Sequence, residues 1–438
     1  MKLTIVGGGG FRVPLVHAAL LADELIDEVV LLDTDPNRLA VIDRVLTAQS
    51  GPGARLRHRT TTDPKDALAG ADFVFSAIRA GGTAGRVLDE RIAAQHGVIG
   101  QETVGAGGIS YALRSIPASL RLARTVAEVA PAAWLINFTN PAGMVTEALS
   151  AVHPRVIGIC DSPIALARRA MATLALDPAR TEVDYVGLNH LGWLTGLRTD
   201  GIDRLPELIA DPAKLASFEE GRLFGPELIG DLGALPNEYL HWFYFRREAL
   251  AAGGTGRGAF LADQQARFYD CCPAEPSAAL AAWNTTRLER EQTYGAANRE
   301  AAGGFDRAET DLVSGGYEGV ALAIMRAIAR NEPATLILNA PNGGRLAELP
   351  DDAVIEASCR VDGDGVHPLP LGPLPSYARG LVTTVKQVER WTIEAATTGS
   401  ARAARLALTH HPLVDSAAVA EALLTDYRAA FPDLDYLR

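Results

Sequence analysis

Short apolar runs alternate with longer amphipathic stretches through the first part of the chain. Residues 11–26 and 113–129 have the spacing of apolar positions that is typical of helices. The runs that we predict as strands occupy residues 2–6, 28–33, 72–78, 133–137 and 156–159. Strands that alternate with helices predict a doubly wound parallel sheet, in which ligands collect at the carboxyl ends of the strands.

The pattern changes near residue 165. We predict a helix over residues 164–174, strands within 182–196, a helical and aromatic-rich stretch over 205–249, paired strands over 335–339 and 353–361, and a long C-terminal helix through Leu381 and Ala395. The glycine-rich residues 253–258 predict a flexible loop. We therefore expect an α/β chain with an N-terminal Rossmann-like domain over residues 1–165 and a C-terminal α+β substrate domain over residues 166–438.

Composition narrows the class of protein. The chain has 438 residues, of which 48% are hydrophobic, and a formal net charge of −12. That charge argues against a general nucleic-acid or membrane-surface binder, because both need a basic face. Four cysteines in so long a chain do not predict a disulfide framework. With no apolar run near the roughly 18 residues of a membrane span and no signal peptide, we expect a cytoplasmic protein.

The first predicted strand runs directly into a turn of four glycines, Gly7, Gly8, Gly9 and Gly10, and the second predicted strand ends at Asp33. Strand, glycine turn, helix, strand and acid form the layout of a dinucleotide-binding unit, and the acid favours NAD over NADP. The third place of the fingerprint holds Arg12 where a small residue is usual. We expect Phe11, Arg12, Arg38 and Asn137 to contact the cofactor as well.

Two further predicted strands end in potential metal ligands. Cys160 and Asp161 follow residues 156–159, and Asn189 and His190 follow the apolar run 185–188. A thiolate and an imidazole can hold a soft-to-borderline divalent ion, and two protein ligands leave positions open for substrate or water. A buried Cys that acts as a small hydrophobe and a structural His are the alternatives that these residues leave open.

Three segments, 137–143, 158–163 and 187–190, resemble glycoside hydrolase family 4, and the likeness continues through 89–91, 97–105, 235–240, 338–343, 349–353 and 411–414. This family of phospho-glucosidases and related glycosidases is an exception to two-carboxylate hydrolysis. The resemblance implies a lactate/malate dehydrogenase-like architecture, with NAD⁺ and Mn²⁺ as cofactors. It also implies a homodimer or homotetramer.

The resemblance also implies residue roles. Cys160 and His190 correspond to the metal ligands, and Tyr239 to the general base. Asp161 corresponds to a position that faces the substrate. This position is Asp in the family's 6-phospho-α-glucosidases and more often Asn in its 6-phospho-β-glucosidases. The remaining expected substrate contacts are Glu102, Asn137, Asn140 and Asn189 for the sugar, and Arg79, Arg86 and Arg257 for a phosphate. Arg12 is expected to contact either the dinucleotide or that phosphate.

The expected reaction is oxidation at C3 of the sugar, deprotonation at C2, elimination of the aglycone with its oxygen protonated by Asp161 or by solvent, addition of water and reduction at C3. The substrate would be a phosphorylated disaccharide or aryl β-glucoside, with a 6-phospho-α-glucosidase as the first alternative. A second hypothesis is a 2-hydroxy acid dehydrogenase, for which a Cys and His metal pair would have no use. A third is a non-enzymatic NAD-binding regulator, for which Tyr239 would have no use.

Overall fold

The computed structural model describes residues 1–252, 257–306 and 316–438. Within these residues, thirteen strands form one continuous sheet. They are β1 Lys2–Val6, β2 Glu28–Leu32, β3 Arg57–Thr61, β4 Phe73–Ser76, β5 Trp134–Asn137, β6 Val156–Gly158, β7 Thr181–Leu188, β8 Leu191–Thr199, β9 Ile202–Asp203, β10 Leu235–Pro236, β11 Ala334–Pro341, β12 Val354–Asp362 and β13 Gly365–Pro368.

The first six strands are parallel and lie in the order β3-β2-β1-β4-β5-β6. Side chains alternate between the two faces, so that Val30 and Leu32 pack in one buried cluster while Val29 and Leu31 pack in another. Both faces are covered by helices, which is why these strands are apolar runs. The predicted Rossmann-like parallel sheet is confirmed. Strand β3 was not predicted, because its sequence is polar and it lies at the edge of the sheet.

The strands of the second half extend the same sheet. β11 pairs antiparallel with β6, and the sheet continues through β12, β7, β8 and β10. The predicted pairing of residues 335–339 with 353–361 is confirmed as the antiparallel pair β11 and β12. The boundary between domains at residue 165 stays a prediction.

Helices flank the sheet on both faces. Their bounds are Val13–Leu21, Pro36–Ser50, Pro64–Leu68, Gly82–Gln95, Gly105–Val129, Ala142–Ser150, Ser162–Thr173, Leu205–Ile209, Pro212–Leu215, Glu219–Leu232, His241–Tyr244, Arg246–Ala251, Arg257–Cys271, Pro276–Gln292, Ala296–Ala301, Tyr317–Arg330, Ser376–Thr398, Ala401–His410 and Ala417–Ala430. No helix in the described residues is both long and apolar enough to span a membrane.

Two of the predicted helices differ in length from the observed ones. The helix predicted over residues 11–26 covers only Val13–Leu21, because Gly10 and Arg12 still belong to hydrogen-bonded turns that precede it. The stretch 205–249 is divided into short helices and strand β10, with a kink at Gly225, whose φ of 76° is not helical. Of the predicted loop 253–258, residues 253–256 lie outside the described residues, and Arg257 begins a helix.

A buried ion pair joins the helices Gly82–Gln95 and Gly105–Val129. Arg114 Nη2 lies 2.6 Å from Asp89 Oδ2, and Nη1 lies 3.0 Å from Oδ1. Burial raises the pKa of Asp89 to about 6, even though Arg114 opposes that shift. The Tyr427 hydroxyl donates to the Asp89 carbonyl oxygen at 3.1 Å, and the Arg114 guanidinium lies 3.7 Å from the Phe431 ring. The pair therefore also fixes the C-terminal segment.

Replacing Arg114 with Met should lower the free energy of unfolding by about 3–5 kcal/mol, because it leaves Asp89 charged or protonated in a buried position without its partner. Urea unfolding followed by circular dichroism measures this difference. Arg124→Met is the matched control: it removes an exposed arginine from the same helix and should change stability by less than about 0.5 kcal/mol. Equal losses in the two variants would contradict the assignment.

Candidate active site

A cavity of about 1200 Å³ opens at the carboxyl ends of β1, β2, β4 and β6. Residues of the second half close its other side, among them His190 and Tyr239. The predicted site residues that line it are Gly7, Gly10, Phe11, Arg12, Asp33, Arg38, Arg79, Arg86, Glu102, Asn140, Cys160, Asp161, His190, Tyr239 and Arg257. Most of the predicted residues are therefore gathered at one place in the fold.

The glycine turn is shaped by close backbone approaches. A Cβ on Gly8 would lie 2.7 Å from the Leu31 Cβ. Gly7 has a φ of 86°, and a Cβ on it would lie 2.7 Å from the Ala77 carbonyl oxygen. No larger residue fits at either position. The Gly9 amide donates to Asp33 Oδ2 at 2.9 Å. Asp33 is therefore anchored at the cavity edge, and its carboxylate retains lone pairs that can accept from ribose hydroxyls.

Helices of the second half hold the glycine turn from outside, which the sequence did not predict. The Tyr269 hydroxyl donates to the Gly9 carbonyl oxygen at 2.7 Å, and Trp283 Nε1 donates to that of Phe11 at 2.8 Å. The Arg38 guanidinium lies 4.0 Å from the Tyr269 ring centre. The only sequence signal was the presence of aromatic residues with polar tips in helical stretches, and their partners are more than 200 residues away.

Arg12, the departure from the usual fingerprint, connects the glycine turn to the substrate side of the cavity. Its Nη2 lies 3.2 Å from Asp161 Oδ2, its guanidinium lies 4.4 Å from the Tyr317 ring centre, and its carbonyl oxygen accepts from the Tyr317 hydroxyl at 2.9 Å. Burial by itself would lower the pKa of Arg12, but Tyr317 and Asp161 raise it above its ordinary value. Arg12 is therefore a permanent cation in the cavity.

Cys160 and His190 both line the cavity and are 5% and 4% exposed. His190 occupies the tight turn between β7 and β8 at φ 62°. Burial lowers the pKa of His190 to about 3, so its imidazole is neutral. Its Nδ1 is buried without a hydrogen-bond partner among the described residues. Burial, followed by the charges of Glu356 and Asp161, raises the pKa of the Cys160 thiol.

These donors fit a divalent metal ion. A neutral imidazole with an unpartnered buried nitrogen and a thiol are borderline-to-soft ligands, and the acids near Cys160 favour a cation. The described residues contain no group of three or more His, Cys, Asp and Glu side chains that could hold a metal. The protein would therefore supply two ligands and leave the other positions open. The Tyr239 ring stacks on His190 at a centroid distance of 3.7 Å.

Glu356 is a buried carboxylate that the sequence did not predict, and it lies beside the turn that carries His190. It is 0% exposed and accepts from Asn189 Nδ2 at 3.0 Å, Asn339 Nδ2 at 2.9 Å and the Tyr185 hydroxyl at 3.3 Å. Burial raises the pKa of Glu356 to about 7. Asn189, which was expected to contact substrate, does not line the large cavity and instead holds the turn that carries His190.

Three further predicted residues also lie off the cavity surface. Asn137 is fully buried, and its amide donates to the Thr139 carbonyl oxygen at 3.2 Å and to Thr146 Oγ1 at 3.1 Å. It therefore shapes the end of β5 from within. Gly8 and Gly9 lie behind the surface that Gly7 and Gly10 present. The predicted contacts of Asn137 and Asn189 with ligands stay predictions that this geometry does not support.

The predicted phosphate-binding arginines differ in their partners. Glu102 lies 2.6 Å from Arg79 Nη1 and 2.7 Å from Arg86 Nη1, and Arg86 also pairs with Glu90 at 2.7 Å. Burial alone would raise the pKa of Glu102, but the two arginines lower it to about 2. Arg79 and Arg86 are therefore largely neutralised by acids of the protein.

Arg257 and Arg290 have no such ion pair in the part of the chain that the structure describes. Burial and the repulsion of neighbouring arginines lower the pKa of Arg257 to about 10 and that of Arg290 to about 9. Arg257 Nη1 and Nη2 donate to Thr293 Oγ1 and to the Arg290 carbonyl oxygen. In residues 1–252, 257–306 and 316–438 neither guanidinium forms an ion pair with a carboxylate, although Glu291, which also lines the cavity, attracts both. Arg290 was not predicted, since nothing in its helical sequence marks it.

A glycine turn with an anchored acid, beside a thiol, an imidazole and a phenol, defines a dinucleotide-binding α/β enzyme with a site for a divalent metal. Residues 2–176 match the model of the family 4 glycosyl hydrolases, and residues 185–414 match that of their C-terminal domain. The chain belongs to glycosyl hydrolase family 4 and is a glycosidase of that family, which confirms the resemblance found in the sequence.

Several relatives cover nearly the whole chain. A probable 6-phospho-beta-glucosidase of Bacillus subtilis (strain 168) is 31% identical over 97% of this chain and 95% of its own length. A 6-phospho-beta glucosidase from Thermotoga maritima, solved with manganese, NAD⁺ and glucose-6-phosphate, is 26% identical, with a TM-score of 0.78 and 98% of each chain covered. A 6-phospho-alpha-glucosidase from gut microorganisms, solved with NAD and Mn²⁺, is 25% identical, with a TM-score of 0.81 over 98% of this chain and 97% of that one.

The fold is also similar to that of malate dehydrogenase from Plasmodium falciparum, at a TM-score of 0.52 and 12% identity over 90% of this chain and 98% of that chain. This likeness concerns the fold alone. It agrees with the dehydrogenase-like architecture expected from the sequence.

Glu102→Gln should lower the free energy of unfolding at pH 7 by about 3 kcal/mol, because the buried Arg86 and the half-buried Arg79 lose their shared carboxylate. The pKa of Glu102 is lowered on folding, to about 2, so its contribution is complete well above pH 4.5 and is lost as pH falls towards 2. Urea unfolding between pH 7 and pH 3.5 should therefore show a shrinking difference from wild type. Glu128→Gln, at an exposed surface pair with Lys65, should show almost no difference, and a pH-independent Glu102→Gln effect would contradict the assignment.

Proposed function

We propose that the protein is an NAD- and divalent-metal-dependent glycosidase that hydrolyses 6-phosphorylated β-glucosides. The observation that carries this proposal is that Cys160, His190 and Tyr239 line the same cavity as the glycine turn. The names of the relatives support a phosphorylated glucoside as substrate, and they include both anomers. The choice of the β-anomer rests on the segment 235–239, whose sequence is closer to the β group.

The glycine turn, Asp33 and Arg38 would hold NAD⁺, and Cys160 and His190 would hold the metal ion. When bound, the dinucleotide supplies a reversible hydride acceptor and the metal ion a Lewis acid. The size of the cavity, about 1200 Å³, leaves room for a sugar phosphate beside a dinucleotide.

Tyr239 is the residue that accepts the proton from C2 of the sugar. Burial, followed by the charges of Glu238 and Cys160, raises the pKa of Tyr239 well above its ordinary value. A tyrosine can act as a base only when nearby positive charge counters such a shift. The stack on His190 places the phenol beside the residues that would hold the metal ion.

Asp161 faces the cavity as the partner of Arg12. A carboxylate that is paired with a guanidinium is an acceptor, so Asp161 is suited to orient a sugar hydroxyl, and solvent then supplies the proton to the departing oxygen. Of the two proton donors expected from the sequence, Asp161 and solvent, this pairing favours solvent. The same carboxylate favours the second candidate, a 6-phospho-α-glucosidase, because Asp at this position is the α-type residue.

Arg257 and Arg290 are the cations best placed to bind the phosphate, since within the described residues neither forms an ion pair with a carboxylate. A doubly charged phosphate would relieve the mutual repulsion of these guanidinium groups and accept several of their hydrogen bonds. The homo-oligomer and the cytoplasmic location stay predictions.

Nitrophenyl 6-phospho-β-glucoside should release nitrophenol when NAD⁺ and Mn²⁺ are present, without net formation of NADH. Removal of metal by a chelator should abolish the release, and Mn²⁺ should restore it. Release from the α-anomer in place of the β-anomer would establish the second candidate. Net accumulation of NADH would contradict both and indicate a dehydrogenase.

Cys160→Ser and His190→Ala should each weaken the binding of Mn²⁺ by about 100-fold or more, because each removes one of two protein ligands. Electron paramagnetic resonance of free Mn²⁺ measures this in the absence of any substrate. The control is Cys271→Ser, at an exposed thiol outside the cavity, which should leave the affinity unchanged. Unchanged affinity in the first two variants would overturn the metal site.

Arg290→Gln should raise KM for the phosphorylated glucoside by about 10-fold or more, because one charge-assisted contact to phosphate is lost. The Kd of NAD⁺, measured by calorimetry, should stay within about twofold. Arg267→Gln, on an exposed face of a neighbouring helix, is the control. A rise in the Kd of NAD⁺ with unchanged KM would assign Arg290 to the dinucleotide instead.

A further inference from the structure

Besides His190, Tyr239 has a second aromatic neighbour, Tyr294, which has no role in the reaction proposed above. The hydroxyl oxygens of Tyr239 and Tyr294 lie 3.5 Å apart, and the Tyr294 hydroxyl donates to Glu238 Oε1 at 2.7 Å. Glu238, Tyr239 and Tyr294 all line the large cavity. Tyr294 therefore contacts both the proposed base and the residue that precedes it in the chain.

The backbone that carries Tyr294 is fixed by a buried guanidinium. Arg299, which is 5% exposed, donates to the carbonyl oxygens of Tyr294, Gln292 and Phe305. Its charge is balanced by Glu219 at 3.6 Å. Such a set of contacts fixes the turn in one conformation, so the Tyr294 hydroxyl reaches the cavity from a defined direction.

The ring of Tyr294 is held from the cavity side as well. The Arg257 guanidinium lies 5.0 Å from its ring centre, which is within the range of a favourable cation–π contact. Ring and hydroxyl are thus each in contact with a charged residue, and a rotation of the side chain would lose both contacts.

Glu238 needs a hydrogen-bond donor. It lies among buried carboxylates, and burial together with Glu219 and Glu220 raises the pKa of Glu238 to about 7. The Arg169 guanidinium is 3.8 Å away and also pairs with Glu220. Among the described residues, Tyr294 supplies the short hydrogen bond to Glu238.

This contact sets the direction of the next one. A tyrosine hydroxyl has one hydrogen to donate. When Tyr294 gives it to Glu238, its oxygen is left as an acceptor towards Tyr239. The Tyr239 ring also stacks on the His190 ring, and the two ring planes are within 6° of each other. The stack fixes the plane of the phenol, and Tyr294 fixes where its oxygen lies in that plane.

We infer that Tyr294, held by Glu238, is a positioning residue that keeps the hydroxyl of Tyr239 aimed at the substrate. The inference rests on the proposed function, in which Tyr239 accepts a proton from C2. Tyr294 itself needs no contact with the sugar. Its loss should leave substrate and cofactor bound but misplace the base, and misplacement of a catalytic group by about 1 Å can cost about 100-fold in rate.

The experiment compares Tyr294→Phe with wild type, using nitrophenyl 6-phospho-glucosides, NAD⁺ and Mn²⁺. We expect kcat to fall by about 10- to 100-fold, with KM and the Kd of NAD⁺ unchanged within about twofold. The kinetic isotope effect for substrate deuterated at C2 should increase, because proton abstraction becomes slower than the other steps. Tyr377→Phe, a half-buried tyrosine outside the cavity, should change none of these values.

Glu238 provides a second, conservative test. Glu238→Gln keeps an oxygen that can accept from Tyr294 and should retain most of kcat, whereas Glu238→Leu should reproduce the loss seen in Tyr294→Phe. Thermal unfolding of each variant establishes that it is folded before the rates are compared.

The outcomes separate the two proposals. If wild-type protein cleaves neither anomer, the proposed function is wrong, and the role of Tyr294 falls with it. If wild-type protein cleaves its substrate and Tyr294→Phe keeps kcat within about twofold, only the positioning role is overturned. Parallel losses of kcat and of NAD⁺ affinity, with an unchanged isotope effect, would also overturn it, because they indicate a general structural defect.

Discussion

The buried carboxylate of Glu356 connects the strands that lead to the two proposed metal ligands, Cys160 and His190. Glu356 on β12 lies opposite Gly187 of β7, and Asn339 on β11 lies opposite Gly158 of β6. Its hydrogen bonds to Asn339 and Asn189 therefore connect the strand that leads to Cys160 with the turn that carries His190. A fully buried acid is costly unless its lone pairs are satisfied. Three donors meet that requirement, and they also fix the spacing of the two proposed metal ligands.

The cavity is rich in positively charged side chains, although the chain as a whole is negatively charged. The chain carries a net charge of −12, yet nine arginines of the described residues line one cavity. Acids of the protein neutralise Arg79 and Arg86, whereas Arg257 and Arg290 repel each other. Repulsion of this kind is a cost in the folded protein that a bound anion can offset. The site is thus arranged to be most favourable when negatively charged groups occupy it.

The sequence was sufficient for the parallel half of the sheet and for most of the cavity wall. Alternating apolar runs predicted five of the six parallel strands, and family resemblance pointed to Cys160, His190 and Tyr239. What it did not predict are contacts made across hundreds of residues. Nothing local distinguishes Arg290 or Tyr294 from other polar residues of their helical segments.

Asn137 and Asn189 show a different limit. Both lie at strand ends, where ligands gather, but a side chain there can point to the cavity or into the protein, and a shift of one residue reverses the choice. The hydrogen-bond partners decide, and these are visible only in three dimensions. The amides of Asn137 and Asn189 point into the protein and donate to buried groups there.

The glycine turn depends on chain that is synthesised long after it. In the turn and directly after it, the backbone carbonyl groups of Gly9, Phe11 and Arg12 accept hydrogen bonds. The donors are the side chains of Tyr269, Trp283 and Tyr317. A nascent chain that ends before these residues would present those carbonyl groups to water. The loop can therefore reach its final shape only after the later helices dock, and competence to hold a dinucleotide would appear late in folding, although the motif that defines it is synthesised before those helices.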